Sequence, residues 1–155
     1  MRIEIGGGTL PLGINTVNLD PGHGTGEWKR NAQDVLWPVE DNSIDGIRAS
    51  HVMEHIAAGH DRIAVMNEAW RVLKPYSKFE IYVPLLVSPD GAVRIQAIAD
   101  PTHVSYWCAE SFGYFDGVVM VDADYGIKLW RTLVLDSPRY PWEGRWIGVP
   151  MKEAK

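Results

Sequence analysis

The sequence predicts an α/β fold in which a mostly parallel sheet is flanked by helices. Short apolar runs typical of strands alternate with helical patterns along the 155 residues. The clearest helical pattern is "DRIAVMNEAWRVLKP", where apolar side chains recur every three to four residues. The last third holds two strand candidates separated by the turn-rich "DSPRYP". This arrangement predicts an antiparallel C-terminal strand pair at one edge of the sheet.

The individual elements follow from local pattern. Strands are expected at residues 2–5, 16–19, near Asp34, 46–50, 78–84, 127–135 and 142–150. A first helical turn is expected in "HVMEHI" and a short helix in "AESFGYF". The long helix is expected to begin near Asp61, which can cap it, and to stop at Pro75. Residues 84–107 show no regular pattern.

Composition limits the class of protein. Hydrophobic residues make up 46% and charged residues 23% of the chain, which is ordinary for a globular protein, and the length suits one domain over residues 1–155. The single cysteine, Cys108, excludes an intramolecular disulfide, and neither a membrane span nor a secretion signal is recognisable. A cytoplasmic location is therefore expected. The net charge of -5, with scattered basic residues, gives no support for a nucleic-acid partner.

The opening stretch "RIEIGGGTLPLGINTVNLD" carries the first chemical signal. Gly6, Gly7 and Gly8 would let the backbone approach a ligand closely, and Asp20 could accept hydrogen bonds from ribose hydroxyls. A tight hairpin turn between antiparallel strands explains the glycines equally well. Residues 9–15 replace the usual crossover helix, but they can span roughly 23 Å when extended. A bare loop could therefore return the chain for a parallel pair, with the first crossover helix missing or reduced.

The stretch "HVMEH" has the H-x-x-E-H order of inverted zinc metallopeptidases. On a helix, His51 and His55 would share a face, as two zinc ligands must. His51 directly follows the strand-like "GIRAS", however, so a strand-to-helix turn is expected there. The favoured interpretation is that Glu54 and His55 form a structural hydrogen-bonded pair, with no metal bound. A zinc hydrolase remains the alternative.

The stretch "DPTHVSYW" offers a second acid and histidine. Asp100 could orient His103, which could then move a proton near neutral pH, so both are candidate catalytic residues. The alternative is that Pro101 and Thr102 make a turn and that His103 merely packs.

The order of these motifs resembles the class I S-adenosylmethionine-dependent methyltransferases. The resemblance covers residues 2–115: the glycine turn, the acid ending the second strand, "PVEDNSID", "ASHVMEHI", "RVLKP", "FEIYVP" and the later "DPTH…ES" segment. It implies a Rossmann-like fold, S-adenosylmethionine as cofactor and methyl transfer to an unknown acceptor. The alternative within the same fold is a degenerate, noncatalytic cofactor-binding or interaction module.

The resemblance also implies site residues. Gly6, Gly7 and Gly8 would lie against the methionine part of the cofactor with Glu4 beneath the turn, Asp20 at the ribose, Asp34 and Val35 at the adenine, and Ser50 and catalytic His51 on the sulfonium side. Because the missing helix would leave an apolar sheet face uncovered, a second copy of the chain is expected to cover it as a homodimer.

Overall fold

One six-stranded sheet organises the computed structural model, which describes residues 1–9, 12–118, 125–137 and 139–153. The strands are β1 (Arg2–Ile5), β2 (Thr16–Leu19), β3 (Ile44–Ser50), β4 (Leu73–Pro84), β5 (Trp130–Asp136) and β6 (Glu143–Pro150). The helices are α1 (His60–Val72), α2 (Gln96–Ala99) and α3 (Ala109–Asp116), with 3₁₀ turns at Gly26–Trp28 and Met53–His55. The strand order is β2-β1-β3-β4-β6-β5.

The pairing confirms the predicted α/β fold. The strands from β2 to β4 pair in parallel, whereas β6 runs antiparallel to both β4 and β5. The carboxyl ends of β1, β2, β3 and β4 therefore meet at one edge of the sheet, where open α/β sheets bind ligands.

The link between β1 and β2 decides how the glycines are used. Arg2 pairs with Thr16 and Ile5 with Leu19 in parallel register. The hairpin alternative is therefore wrong, and the two strands form a parallel pair. The described part of this link, residues 6–9 and 12–15, contains no helix, as the short spacing predicted.

The two faces of the sheet differ in character. Ile3, Ile47 and Phe79 are register neighbours on one face and are buried. They share one hydrophobic core with α1 and α3, which contribute Met66 and Phe112. This face therefore supplies most of the burial that stabilises the fold.

The opposite face is charged. Glu4, Arg48 and Glu80 are register neighbours there, and the Arg48 Nη1 atom donates to Glu4 Oε1 over 3.1 Å. Arg48 also lies over the Tyr82 ring, whose hydroxyl donates to Glu80 over 2.8 Å. The expectation of an uncovered apolar face is therefore wrong, because strand alternation places charged residues on this side.

Two predicted elements are wrong. Asp34 lies in a turn rather than a strand, since its Oδ2 atom accepts a hydrogen bond from the Asn31 backbone N–H over 3.1 Å. The long helix ends at Val72, and β4 begins at the next residue. Pro75 therefore lies within the strand, followed by Tyr76 with a φ of 65°.

Residues 84–107, expected to be irregular, also contain the short helix α2.

Among the described residues, no helix combines the length and the apolar character that crossing a membrane requires.

Candidate functional site

The glycine loop, residues 6–8, leaves the carboxyl end of β1 with two residues in the left-handed region. Gly6 has a φ of 64° and Gly8 a φ of 55°. The Gly6 N–H donates to the Leu19 carbonyl over 2.9 Å, so the loop begins directly against β2. A Cβ atom at Gly6 would lie 2.4 Å from a Val52 methyl group, whereas one at Gly8 would meet no atom within 4 Å. Glycine is thus required at position 6 by both conformation and space.

Asn18 on β2 fixes the glycine loop, and the sequence analysis missed it. Its Oδ1 atom accepts from the Gly7 N–H over 2.9 Å, and its Nδ2 atom donates to the Gly8 carbonyl over 3.1 Å. A buried polar residue within the strand "TVNL" was the available signal, because a buried amide requires partners.

Asp20 is buried at the end of β2 and accepts three backbone hydrogen bonds. Its Oδ2 atom accepts from Gly8 over 3.1 Å, while Oδ1 accepts from Gly22 and His23 over 2.7 and 2.8 Å. Burial raises the pKa of Asp20, but the three N–H donors outweigh it and hold the pKa below its ordinary value. An ionised acceptor therefore stands beside the glycine loop.

A cavity of about 160 Å³ opens beside this loop. It is lined by Ile5, Gly6, Leu19, Pro21, Asn31, Ala32, Gln33, Val52, His55 and Ile56. Asp34 and Val35 follow Gln33 directly but are exposed and do not line the cavity. Ala32 and Gln33, the two residues before Asp34, line the cavity instead.

Glu4 and Ser50 lie at the edges of this arrangement. The Glu4 side chain passes beside Gly7, since a Cβ there would lie 3.0 Å from Glu4 Cγ. Burial raises the pKa of Glu4 above its ordinary value, while the ion pair with Arg48 opposes this shift. Ser50 ends β3 opposite Tyr82.

His51 follows β3 in the left-handed region, with a φ of 56° and its N–H donating to the Tyr82 carbonyl over 2.9 Å. This backbone directs the imidazole between two carboxylates. Its Nε2 atom lies 3.0 Å from Glu143 Oε1, and its Nδ1 atom lies 3.4 Å from Glu54 Oε1. Hydrogen bonding to Glu54, together with Glu143, raises the pKa of His51 above its ordinary value against the opposing effect of burial.

We name His51, Glu54 and Glu143 the carboxylate cluster. Both glutamates are only 1% exposed. In the described part of the chain, the Oε2 atoms of Glu54 and Glu143 accept no hydrogen bond, and Arg139 Nε lies 3.9 Å from Glu143 Oε2. Sequence reasoning missed Glu143, because it lies 92 residues from His51 and reaches it only through the pairing of β6 with β4.

Asp100 and His103 lie close together without forming the expected hydrogen bond. His103 Nδ1 faces the Ala97 carbonyl over 2.9 Å, and its Nε2 atom is 3.8 Å from Asp100 Oδ2. Asp100 instead accepts through Oδ1 from the Thr102 N–H and hydroxyl. These Thr102 hydrogen bonds hold the pKa of Asp100 below its ordinary value. His103 Nε2 is also 4.0 Å from Glu54 Oε1.

The two histidines of H-x-x-E-H face different partners. Both ring nitrogens of His51 face carboxylates, whereas His55 Nδ1 lies 3.1 Å from the Thr102 carbonyl. The expected side-chain pair between Glu54 and His55 is replaced by this contact with the backbone of Thr102.

Comparison with family models shows a likeness over part of the chain. The methyltransferase domain model matches residues 19–81, which include Asp20, the 3₁₀ turn at Met53–His55 and most of β4. Comparison with curated protein sequences gives no match.

Solved structures show the same fold. A structure described as an S-adenosylmethionine-dependent methyltransferase from Archaeoglobus fulgidus is 16% identical with a TM-score of 0.65, covering 96% of this chain and 85% of that one. A Thermotoga maritima structure, described as such a methyltransferase and a possible histamine N-methyltransferase, is 15% identical with a TM-score of 0.63, covering 96% and 81%.

A third structure, from Haloferax volcanii, contains the Trm112 methyltransferase activator with its methyltransferase partner. It is 14% identical with a TM-score of 0.64 and covers 99% of this chain and 83% of that one. At these identities the likeness is one of fold, and it confirms the Rossmann-like architecture that the motif order predicted.

Proposed function

We propose that the chain is a class I S-adenosylmethionine-dependent methyltransferase that transfers a methyl group from S-adenosylmethionine to an acceptor, as its partial domain match and its fold support. The observation that carries this proposal is the pairing of the glycine loop with Asp20 at the carboxyl ends of β1 and β2. That edge is where a parallel α/β sheet presents its ligand site.

The residues at the carboxyl ends of β1 and β2, and the cavity beside them, fit the cofactor. Gly8 leaves open space where any other residue would place a Cβ atom, so a ligand can approach the backbone. Asp20 is held ionised, which suits it to accept hydrogen bonds from ribose hydroxyls. The cavity of about 160 Å³ beside Ala32 and Gln33 has the size and apolar lining for a base. We assign Asp34 and Val35 to its outer rim.

When bound, S-adenosylmethionine supplies a methyl group already activated on a sulfonium, so the protein mainly has to align it with the acceptor. His51 and Ser50 lie at the end of β3, on the side proposed for that group. Because both ring nitrogens of His51 face carboxylates, we assign His51 a positioning role toward Glu54 and Glu143.

Calorimetric titration with S-adenosylhomocysteine tests the cofactor assignment. We expect one site per chain in the parent, with weaker binding in Asp20→Asn because a charge-assisted acceptor is lost. Asp61→Asn is the matched control, since Asp61 lies in the first turn of α1 and is not among the residues that line the cavity. Equal affinity in the parent and in a folded Asp20→Asn variant would overturn the ribose assignment.

The noncatalytic module is the second candidate, and the occupied ring nitrogens of His51 favour it. The same titration separates the two functions once it is combined with methyl transfer from labelled S-adenosylmethionine to a panel of amine, hydroxyl and protein acceptors. Cofactor binding without transfer to any of them would support the module.

A homodimer through the charged sheet face is part of the proposal. Ile14 is 98% exposed and itself lines a cavity of about 380 Å³, together with Arg2, Leu12 and Arg48. In a two-fold pair, Ile14 of one copy could pack against Ile14 of the other at the mouths of their cavities, and the mixed charges of Glu4 and Arg48 can pair with their counterparts. Such a contact is isologous and closes on itself.

Light scattering tests this assembly. We expect the parent to be a dimer and Ile14→Asp to be a monomer. At low protein concentration the two should have the same melting temperature. Val118→Asp, at an exposed site after α3, should stay dimeric. A monomeric parent would overturn the dimer.

We also propose that the chain acts as one domain in a reducing cytoplasm, supported by its continuous core and single cysteine.

A further inference from the structure

We propose that Glu54, His55 and His103, with Asp100 as a fourth donor, form a site for one divalent transition-metal ion of the zinc class. One ligand atom from each of the first three residues lies within 4.8 Å of the others. Asp100 Oδ2 is 3.8 Å from His103 Nε2. Two imidazoles with one or two carboxylates are a donor set that such ions prefer.

The two imidazoles are already oriented as ligands. Nδ1 of His55 faces the Thr102 carbonyl and Nδ1 of His103 faces the Ala97 carbonyl, over 3.1 and 2.9 Å. A carbonyl oxygen can only accept, so each Nδ1 carries the proton and each Nε2 presents its lone pair. Metal-binding histidines are fixed in this way by outer hydrogen bonds.

Glu54 supplies an independent reason to expect a cation. It is 1% exposed, and its Oε2 atom accepts no hydrogen bond within the described residues. An ionised carboxylate buried in this way costs several kcal/mol unless it is paired or coordinates a metal. His51 is the nearest basic group, at 3.4 Å, but it is shared with the equally buried Glu143. A divalent ion would give the Oε2 atom of Glu54 the partner that it lacks among the described residues.

The backbone holds the two ligand-bearing segments together. The Glu54 carbonyl accepts from the N–H groups of both Val104 and Ser105, over 3.0 and 3.1 Å. The Ser105 hydroxyl donates to the Met53 carbonyl over 3.1 Å. Binding would then need side-chain movements that bring Glu54, His55 and His103 from separations within 4.8 Å to ion–ligand distances of about 2.1 Å.

This ligand set differs from H-x-x-E-H, because His103 takes the place of His51. His55 also lines the cavity assigned to the cofactor, so the ion would lie in its wall. There it would hold the His55 side chain against the cavity and give the buried Glu54 carboxylate a partner. This role rests on the proposed function, whereas the ion site itself does not.

Calorimetric titration of tag-free, chelator-treated protein with Zn²⁺ tests the site. We expect one ion per chain in the parent, and His103→Ala and Glu54→Gln to lose more than the roughly 10- to 100-fold in affinity that removing an outer partner costs. His60→Ala is the matched control, because the His60 side chain is 96% exposed and is not one of the proposed ligands of the ion. Co²⁺ should add visible absorption bands in the parent and in His60→Ala only.

Two outcomes would overturn the site: no Zn²⁺ binding by the folded parent, or equal affinity in the parent and a folded His103→Ala variant. Circular dichroism verifies that each variant is folded. If His103→Ala does not fold, the Zn²⁺ affinity of Glu54→Gln, which keeps the side-chain shape, decides in its place. S-adenosylhomocysteine binding without Zn²⁺ binding would overturn only the ion site. Zn²⁺ binding without S-adenosylhomocysteine binding would overturn only the cofactor assignment.

Discussion

The glycine loop with Asp20 and the carboxylate cluster both stand at the ends of parallel strands, yet they differ in how completely their polar groups are paired. Both oxygens of Asp20 accept backbone hydrogen bonds. Glu54 and Glu143 are more deeply buried, and each has an oxygen without a hydrogen bond in the described structure. The carboxylate of the first region is fully hydrogen-bonded, whereas the second region holds two buried oxygens without a hydrogen bond to any described residue.

The largest expected effect concerns the glycine loop. Gly6→Ala should lower the free energy of unfolding by about 2 to 5 kcal/mol, since a left-handed alanine costs roughly 1 to 2 kcal/mol and the overlap with Val52 adds roughly 1 to 3 kcal/mol. Gly8→Ala has the same backbone strain without the overlap, so it should cost only about 1 to 2 kcal/mol. Urea unfolding measures both.

Gly8→Ala should still weaken S-adenosylhomocysteine binding, because its methyl group would enter the space left for the ligand. Equal destabilisation by the two variants would mean that Val52 yields and that the loop is less fixed than its hydrogen bonds indicate.

The next effect concerns Asp20. Asp20→Asn should destabilise the fold by about 1.5 to 3 kcal/mol at pH 7, since hydrogen bonds to a charged acceptor are lost and the amide faces the Gly8 N–H. The folded pKa is below the ordinary 3.8, so this stabilisation is present above that value and is lost as the pH falls through the folded pKa.

Unfolding curves of the parent and Asp20→Asn should therefore converge in acid. A difference that stays constant from pH 7 to below the ordinary pKa of aspartate would show that the carboxylate charge contributes nothing to the glycine loop.

The smallest effect is expected in the carboxylate cluster. Glu143→Gln in the metal-free protein should change the free energy of unfolding by less than about 1 kcal/mol or raise it, because an incompletely paired buried charge is removed. Glu68→Gln is the contrast: Glu68 is also buried, but it accepts from the Trp37 N–H and twice from Arg71. Breaking the ion pair between Glu68 and Arg71 should lower the free energy of unfolding by about 3 kcal/mol.

Thermal and urea unfolding of the two glutamine variants decide this comparison. Similar losses at Glu143 and Glu68 would show that the carboxylate cluster is as completely stabilised as the rest of the core.

The glycine loop could be predicted because its parts are close in sequence. A strand, three glycines and an acid within the first 20 residues indicated a glycine turn followed by a second strand, whereas the choice between a hairpin and a parallel pair needed the structure. The charged sheet face was also readable, since "RIEI" and "KFEIYVP" alternate apolar and charged residues, but the missing helix suggested an apolar surface instead. The alternation was the better guide, because side-chain direction in a strand is fixed by geometry.

The carboxylate cluster could not be predicted, because Glu143 and His51 meet only after β6 inserts beside β4. The strand expected near Asp34 failed for a local reason: the Asn31 backbone and side chain both bind its carboxylate and close a turn. Helix α1 ended three residues early because Leu73 already pairs with Ile44 in the sheet.

A crystal structure of the complex with S-adenosylhomocysteine tests most directly whether the glycine loop is a preformed cofactor site. We predict that the ribose hydroxyls lie within hydrogen-bond distance of Asp20, that Ala32 and Gln33 flank the base, and that residues 6–8 move by less than about 1 Å from the arrangement described here. Binding of the ligand away from Asp20, or rebuilding of the loop to admit it, would contradict the account.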